Sequence, residues 1–223
     1  MICAAIAHDL KTPMTSVQGY AAALRDGKIP TDKQAEALEI IHSKSKRMNE
    51  LVESLFEYSR LGTEAYQIKK EPMDAAQIVR EIAAENYADF EDRGISLEAD
   101  ISEKPLMILG DAMEFRRAVT NLIVNAWKHN ERGAQVRVTV REEKGQALIS
   151  GADTGAVISK EQKKTVFQPF VTADEARPSS GGNGLGLAVV SAVIARHGGE
   201  MRIAEGSAPH TKAFEITGLP LCP

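Results

Sequence analysis

The sequence is short of several things, and each shortage removes a class of explanation. Only two cysteines occur in 223 residues, Cys3 and Cys222, near opposite ends. Two distant thiols make no disulfide framework and suit a reducing compartment. No run approaches the ~20 apolar residues that a membrane span needs. No secretory leader is visible, since Met1 leads straight into a periodic apolar pattern. Positive charge is not in excess: the net charge is −4 and the basic residues are scattered, which argues against nucleic-acid binding. There is no internal repeat and no low-complexity tract. What remains is a hydrophobic fraction of 43%, enough for an ordinary core, in a length that suits one or two domains.

The first strong pattern lies at residues 2–24. On a helical wheel, Ile2, Ile6, Leu10, Pro13, Val17, Tyr20 and Leu24 fall on one stripe, spaced by threes and fours. That is the a/d seam of a helix in a coiled coil or bundle. His8 lies about 200° from Ile6 on the same wheel and so points to solvent. Thr12 follows one turn later on that side. Pro13 removes the amide that would bond the Asp9 carbonyl and should bend the helix. The stretch therefore predicts an exposed imidazole flanked by a carboxylate, a hydroxyl and a kink.

The first helix is expected to end near Arg25, before Asp26-Gly27-Lys28-Ile29-Pro30. Thr31 and Gln34 have the spacing of a capping box for a second helix running to about Leu61. Leu38, Ile41, Met48, Val52 and Leu55 continue the apolar repeat. One such hairpin leaves a seam uncovered, so two copies would pair into a four-helix bundle. The alternative is a hairpin packed on its own C-terminal domain. Leu61-Gly62-Thr63-Glu64-Ala65 reads as the hinge between domains.

Beyond it the pattern predicts a strand at 66–70, Asp74 as an N-cap, a helix over 75–92 and strands at 95–101 and 106–109. A helix capped by Asp111 and reaching about Asn130 comes next. A hairpin over 135–141 and 147–152 has Gly145 in its turn. A short helix at 159–167, a polar loop at 171–183, a helix over 184–197 and strands at 201–204 and 213–217 complete the chain. Strands and helices in this proportion make an α+β domain in two layers.

A second polar cluster sits in this part. Glu114, Asn121, Asn125 and Lys128 form one stripe of the helix after Asp111, and Phe115, Val119, Leu122 and Ala126 the opposite one. Asparagine is a mediocre helix former, so two of them a turn apart cost stability unless they bind something. An amide oxygen is a hard ligand suited to Mg²⁺, and Lys128 can meet phosphate as a point charge. Asp153 closes a strand, where a carboxylate can accept a hydrogen bond from an exocyclic amine. Gly181-Gly182-Asn183-Gly184-Leu185-Gly186-Leu187 precedes a helix, where backbone N–H groups can approach phosphates. No strand leads into these glycines as in a dinucleotide fingerprint, and no Lys-Ser/Thr follows as in a P-loop.

The segment Ala7-His8-Asp9-Leu10-Lys11-Thr12-Pro13 resembles the H-box of sensor histidine kinases, His-Glu/Asp-x-x-Thr-Pro. The later segments resemble, in order, the N-box (121–130), the first glycine box (Asp153 to Ile158), the F-box (Phe167-Gln168-Pro169-Phe170) and the second glycine box of their ATP-binding domain. The resemblance implies a helical hairpin forming a dimeric four-helix bundle (1–62), then an α+β two-layer sandwich of the GHKL (Bergerat) ATP-binding fold (66–223). It implies His8 as the phosphoacceptor, Asp9 as the group that takes or orients the ring proton and Thr12 as the positioner of a water for the reverse, phosphatase, reaction. It further implies Asn125 as the Mg²⁺ ligand supported by Asn121, Lys128 on phosphate, His129 as a pocket wall and Asp153 on the adenine amine. Gly155 and Ile158 complete the first glycine box. Gly182, Gly184, Leu185 and Gly186 make the phosphate side, and 171–183 the ATP lid. ATP and Mg²⁺ as ligands, a homodimer and a response regulator as partners, and sensor and membrane parts upstream of residue 1 follow from the same resemblance. The chain would then be the cytoplasmic portion of a membrane-anchored bacterial sensor kinase.

Three departures from the family pattern bear on affinity. The second glycine of the first box is Val157, and if it needed a positive φ its β-branched side chain would cost roughly 1–2 kcal/mol. That is about tenfold in an equilibrium constant, so weakened nucleotide binding is expected. Gly151 stands in the preceding strand where a β-branched residue is expected. The Gly-Thr/Ser pair before the last strand is replaced by Thr211-Lys212-Ala213-Phe214. A degenerate ATP domain on a phosphatase or docking scaffold is therefore the second reading, and a GHKL ATPase with no use for the H-box the third.

Overall fold

The computed structural model describes residues 2–63, 66–171 and 184–222, without the side chains of residues 2–6 and His8. The chain divides into two compact units, Met1–Ser59 and Arg60–Pro223. No helix among the described residues is long and apolar enough to cross a membrane.

The first unit is helical. Helix α1 is Ile2–Arg25 and α2 is Gln34–Leu61, the last two residues of α2 belonging to the second unit. Helix α1 ends in a Schellman motif: Lys28 N donates to Ala23 O at 2.9 Å, and Gly27 N to Leu24 O at 3.1 Å, with Gly27 at φ 65°. The capping box expected at Thr31 does not form. Thr31–Lys33 is a 3-10 turn entered from Pro30 with no side-chain cap. Gln34 Nε2 instead donates to Ile29 O at 3.4 Å. Pro30 sets the extended entry, and the Lys33 N–H bond to Pro30 O (2.9 Å) closes the turn that a capping side chain would otherwise secure. Pro13, Ala37 and Leu51 are buried, while Tyr20 and Leu38, both seam residues, remain exposed at 37% and 58%.

The second unit has two sheets. Strand β1 (Glu71–Asp74) pairs antiparallel with β3 (Met107–Gly110). The larger sheet has the order β2-β4-β5-β7-β6, from β2 (Ser96–Ile101), β4 (Gln135–Glu143), β5 (Gln146–Asp153), β6 (Glu200–Glu205) and β7 (Lys212–Pro220). The β2–β4 pair is parallel and the others antiparallel. Helices α3 (Ala75–Glu85), α5 (Ala112–His129) and α7 (Gly186–Arg196) contact this sheet, with α5 packed against both of the others, making the second layer.

Register places Val136, Val138 and Val140 of β4 opposite Asp153, Gly151 and Ile149 of β5, and those opposite Lys212, Phe214 and Ile216 of β7. Side chains alternate along a strand, so these nine residues share one face. The face is apolar except at its end, where Asp153 and Lys212 stand side by side. Lys144 (φ 53°) and Gly145 (φ 76°) make the two-residue β4–β5 turn, both in the left-handed conformation that such hairpins use. Strand β7 outruns its expected end because Gly218 (φ 77°) accommodates a bulge opposite Ala147–Ile149.

Three expectations need correction. Residues 66–70 are not a strand, because their polar groups are taken by side chains: Lys69 N donates to Asp111 Oδ2 and Tyr66 O accepts from Arg196. The helix over 75–92 breaks at Asn86, leaving α4 (Tyr87–Asp92) separate. Asn86 Nδ2 donates to Ile82 O at 2.9 Å, the local competition that makes asparagine a helix interrupter. The short helix α6 (Lys160–Thr165) begins on Ser159, which forms a full capping box with Gln162, and Phe167 lies beyond its end.

Candidate functional site

Two clusters were expected, one in each unit. In α1, Pro13 is buried and has no N–H for the Asp9 carbonyl. Thr15 Oγ1 donates to Lys11 O at 2.8 Å and Ser16 Oγ to Thr12 O at 3.3 Å, back-bonds that favour bending beside the proline. Asp9 is half-buried and Thr12 exposed. The backbone of His8 lies within α1; its side chain is outside the described residues.

In the second unit the site is built on α5. Asp111 caps it: Oδ1 accepts from Met113 N (3.1 Å) and Glu114 N (3.2 Å), and Oδ2 from Lys69 N (3.3 Å). Burial pushes this carboxyl up, but the three N–H donors outweigh it and hold it below the usual carboxylate range. Asp111 N donates to His197 Nε2 at 3.0 Å, and His197 Nδ1 in turn donates to Val193 O at 2.8 Å, so the start of α5 is tied to the end of α7. Phe115, Val119 and Leu122 are buried as expected, and Ala126 is partly so. Asn121 and Asn125 are half-buried, one turn apart; Lys128 and His129 are exposed. The Lys128 ammonium lies 5.5 Å from the Trp127 ring centroid.

Glu114 departs from the stripe it was expected to share with the asparagines. It is buried and pairs with Arg60 (2.6 Å), Arg117 (2.8 Å) and the Tyr66 hydroxyl (2.5 Å). Burial and the Glu114 carboxylate raise the Tyr66 phenol above its ordinary value.

The next turn of backbone after α5 meets the end of β5. Asn130 Nδ2 donates to Ala126 O at 2.7 Å, while its Oδ1 is buried with no partner among the described residues. A Cβ on Gly155 would collide with that oxygen and stand 2.8 Å from Asp153 Oδ1. Gly155 is thus required by close approach. Asp153 is 3% exposed; its Oδ1 accepts from Gly155 N (2.8 Å) and Lys212 Nζ (2.5 Å), and its Oδ2 has no bond among the described residues. Thr211 Oγ1 holds the turn through Gly155 O at 2.7 Å. Ile158 is buried. Val157 is 72% exposed and is not among the positive-φ residues, so the strain foreseen for it does not arise. A buried oxygen that lacks a donor, Asn130 Oδ1, beside the Asp153 carboxylate fits a substrate whose exocyclic amine brings donors.

Gly184 takes φ 63° against the F-box: its carbonyl accepts from Phe170 N at 2.9 Å, and a Cβ there would stand 2.8 Å from Phe170 and Val171 backbone atoms. Gly186 opens α7 with free space where a Cβ would be. Leu185 is fully buried and supplies no side-chain cap, so the first N–H groups of α7 are not covered by one. Gly182 and lid residues 172–183 lie outside the described residues.

Sequence reasoning gave Asn130, Lys212 and Arg196 no role. Arg196 donates to Leu61 O (3.2 and 2.7 Å), Thr63 O (2.8 Å) and Tyr66 O (3.2 Å), so it holds Leu61 and Thr63 of the segment read as a hinge and Tyr66 just after it. For Lys212 a signal was present: alternation through Phe214 and Ile216 puts a lysine on a core face.

Comparison with known proteins adds the following. Residues 2–64 match the His Kinase A (phospho-acceptor) domain. Residues 110–221 match the histidine kinase-, DNA gyrase B- and HSP90-like ATPase family. Sensor protein GtcS of Aneurinibacillus migulanus is 36% identical over 183 residues, covering 82% of this chain and 49% of that protein. Sensor protein SrrB of Staphylococcus aureus is 29% identical over 200 residues, covering 89% of this chain and 34% of that protein. The chain thus spans half or less of the length of these relatives. Among solved structures, Acinetobacter baumannii histidine kinase AdeS aligns at TM-score 0.76 and 22% identity, over 97% of this chain and 98% of that one. ThkA in complex with response regulator protein TrrA aligns at 0.79 and 19%, over 99% and 61%, and ShkA in complex with AMPPNP at 0.71 and 25%, over 98% and 46%.

Proposed function

The chain belongs to the sensor histidine kinases, and from that premise we propose that it is an ATP-dependent kinase core that phosphorylates its own His8 and passes the group to an aspartate of a response regulator. The observation that carries this reading is Asn130 Oδ1, buried without a donor beside the Asp153 carboxylate at the Gly155 turn. Asp153 receives the adenine amine; Gly182, Gly184, Leu185 and Gly186 offer backbone N–H groups to phosphate; Lys128 adds positive charge and His129 a wall. Asn125, supported by Asn121, would hold Mg²⁺ through its amide oxygen, and the ion would neutralise phosphate charge there. Among the described residues no cluster of three His, Cys, Asp or Glu side chains offers another metal site.

In the chemical step a neutral ring nitrogen of His8 attacks the γ-phosphorus in line. The bond to the leaving ADP oxygen breaks, and the imidazole proton passes to Asp9. The phosphoramidate is reactive enough to donate to a regulator carboxylate. Thr12 positions water for the phosphatase reaction. Residues 1–62 serve as the dimerisation and phosphoacceptor domain and 66–223 as the ATP-binding domain. Exposed Tyr20 and Leu38 support a homodimer, since a second hairpin would cover them. A membrane anchor would lie in a longer protein of which this is the cytoplasmic portion. The test is incubation with γ-labelled ATP and Mg²⁺. Wild type should gain acid-labile, base-stable label and His8→Gln none; label persisting on His8→Gln refutes the assignment.

A further inference from the structure

We infer that Lys212 sets base specificity: its ammonium, bound to the Asp153 carboxylate, lets the base end of the site accept guanine as well as adenine nucleotides. The inference rests on the nucleotide-site reading above. Lys212 faces Asp153 across the β5–β7 ladder, at the polar end of an otherwise apolar sheet face. Its Nζ donates to Asp153 Oδ1 at 2.5 Å and to Ala156 O at 2.9 Å. The two side chains are 12% and 5% exposed, so neither charge is dispersed into water.

A lone buried carboxylate can only accept. It receives the adenine amine and meets the O6 of guanine oxygen to oxygen, with no proton between. Sites of this kind reject the wrong partner because buried polar atoms are left unpaired. An ammonium has three N–H donors. Two of Lys212's are spent on Asp153 and Ala156, and the third is available for a base oxygen. Asp153 Oδ2, which has no bond among the described residues, can then accept the N1–H of guanine. For adenine the same pair works in reverse sense, the carboxylate taking the amine and the ammonium the ring nitrogen. The pocket thus holds a donor beside an acceptor where a carboxylate alone would discriminate.

The test is calorimetric titration of the full chain with ATP and with GTP, each with Mg²⁺, for wild type, Lys212→Thr and Lys212→Arg. In wild type the two Kd values should lie within about tenfold of one another. Lys212→Thr should widen the ratio at least a further ~10-fold in favour of ATP, about 1.4 kcal/mol. Lys212→Arg, which keeps a donor cation, should stay near the wild-type ratio. The ratio is internal to each protein, so partial unfolding lowers both affinities and leaves it unchanged. ATP binding with a ratio that Lys212→Thr does not move overturns the inference and leaves the nucleotide site standing. Binding of neither nucleotide by any of the three proteins overturns both.

Discussion

Replacing Arg196 by alanine should release residues 60–63 and Tyr66 while leaving the nucleotide domain folded. The guanidinium makes four hydrogen bonds to three backbone carbonyls, those of Leu61, Thr63 and Tyr66. Arg196 is only partly buried, and the freed carbonyls can turn to water. Each carbonyl is therefore assigned the net value of an ordinary bond, about 0.5–1.5 kcal/mol. Three of them give roughly 2–4 kcal/mol of local docking energy. Burial of Leu61, at 2% exposure, and the Arg60–Glu114 pair remain and keep the release partial. Hydrogen exchange on the intact chain reads this directly. Amides of residues 60–63 and 66 should exchange at least ~30-fold faster in Arg196→Ala, with those of β4 and β5 unchanged, because local opening lowers protection by its own free energy. A change under about threefold in that segment would refute the clamp. Uniform acceleration across the sheet would mean that Arg196 supports the whole unit instead.

Gly155→Ala should abolish detectable ATP binding with a stability cost of about 1–3 kcal/mol, because its Cβ would collide with Asn130 Oδ1; calorimetry and thermal melting separate the two effects. Gly151→Ala should do the opposite to stability. Nothing lies within 4 Å of its Cβ direction and its φ is not positive, so a gain of about 0.5–1 kcal/mol is expected, seen as a rise in Tm of a few degrees. Asp111 predicts a pH dependence. Its carboxyl is held below the ordinary value in the folded chain, so its contribution is complete above the unfolded pKa and is lost as pH falls through the lower, folded one. Denaturant titrations should therefore show a smaller acid-side decline in Asp111→Asn than in wild type.

Local chemistry made much of the fold legible. Asp74 and Asp111 announce helix starts by side-chain type, and both accept the N–H bonds that a cap must. Gly145 marks the hairpin, since its turn needs left-handed backbone. The failures are places where distant partners decide. The segment 66–70 has strand-like composition, but Asp111 and Arg196, far along the chain, take its backbone groups. Strand β1 begins instead at Glu71 and tolerates Pro72 because it pairs on one side only, with β3. Glu114 fits a polar stripe on a wheel, yet it is spent on Arg60, Arg117 and Tyr66. Asn121 and Asn125 could be singled out because asparagine is costly mid-helix, and Asp153 and Gly155 because their segment resembles the first glycine box. Asn130 could not, since its meaning comes from the Gly155 turn brought against it, and the core-face lysine at 212 acquires its partner only through the β5–β7 register.

The central claim is that the phosphoryl group of ATP goes to one imidazole out of five. Fragmentation mass spectrometry at neutral pH, after incubation with ATP and Mg²⁺, locates the group on the peptide. It is expected on His8 alone, and absent when Asp9, Asn125 or Gly155 is replaced. A phosphoryl group on His42 or another side chain in wild type, or none on any histidine while ATP is bound, would contradict it.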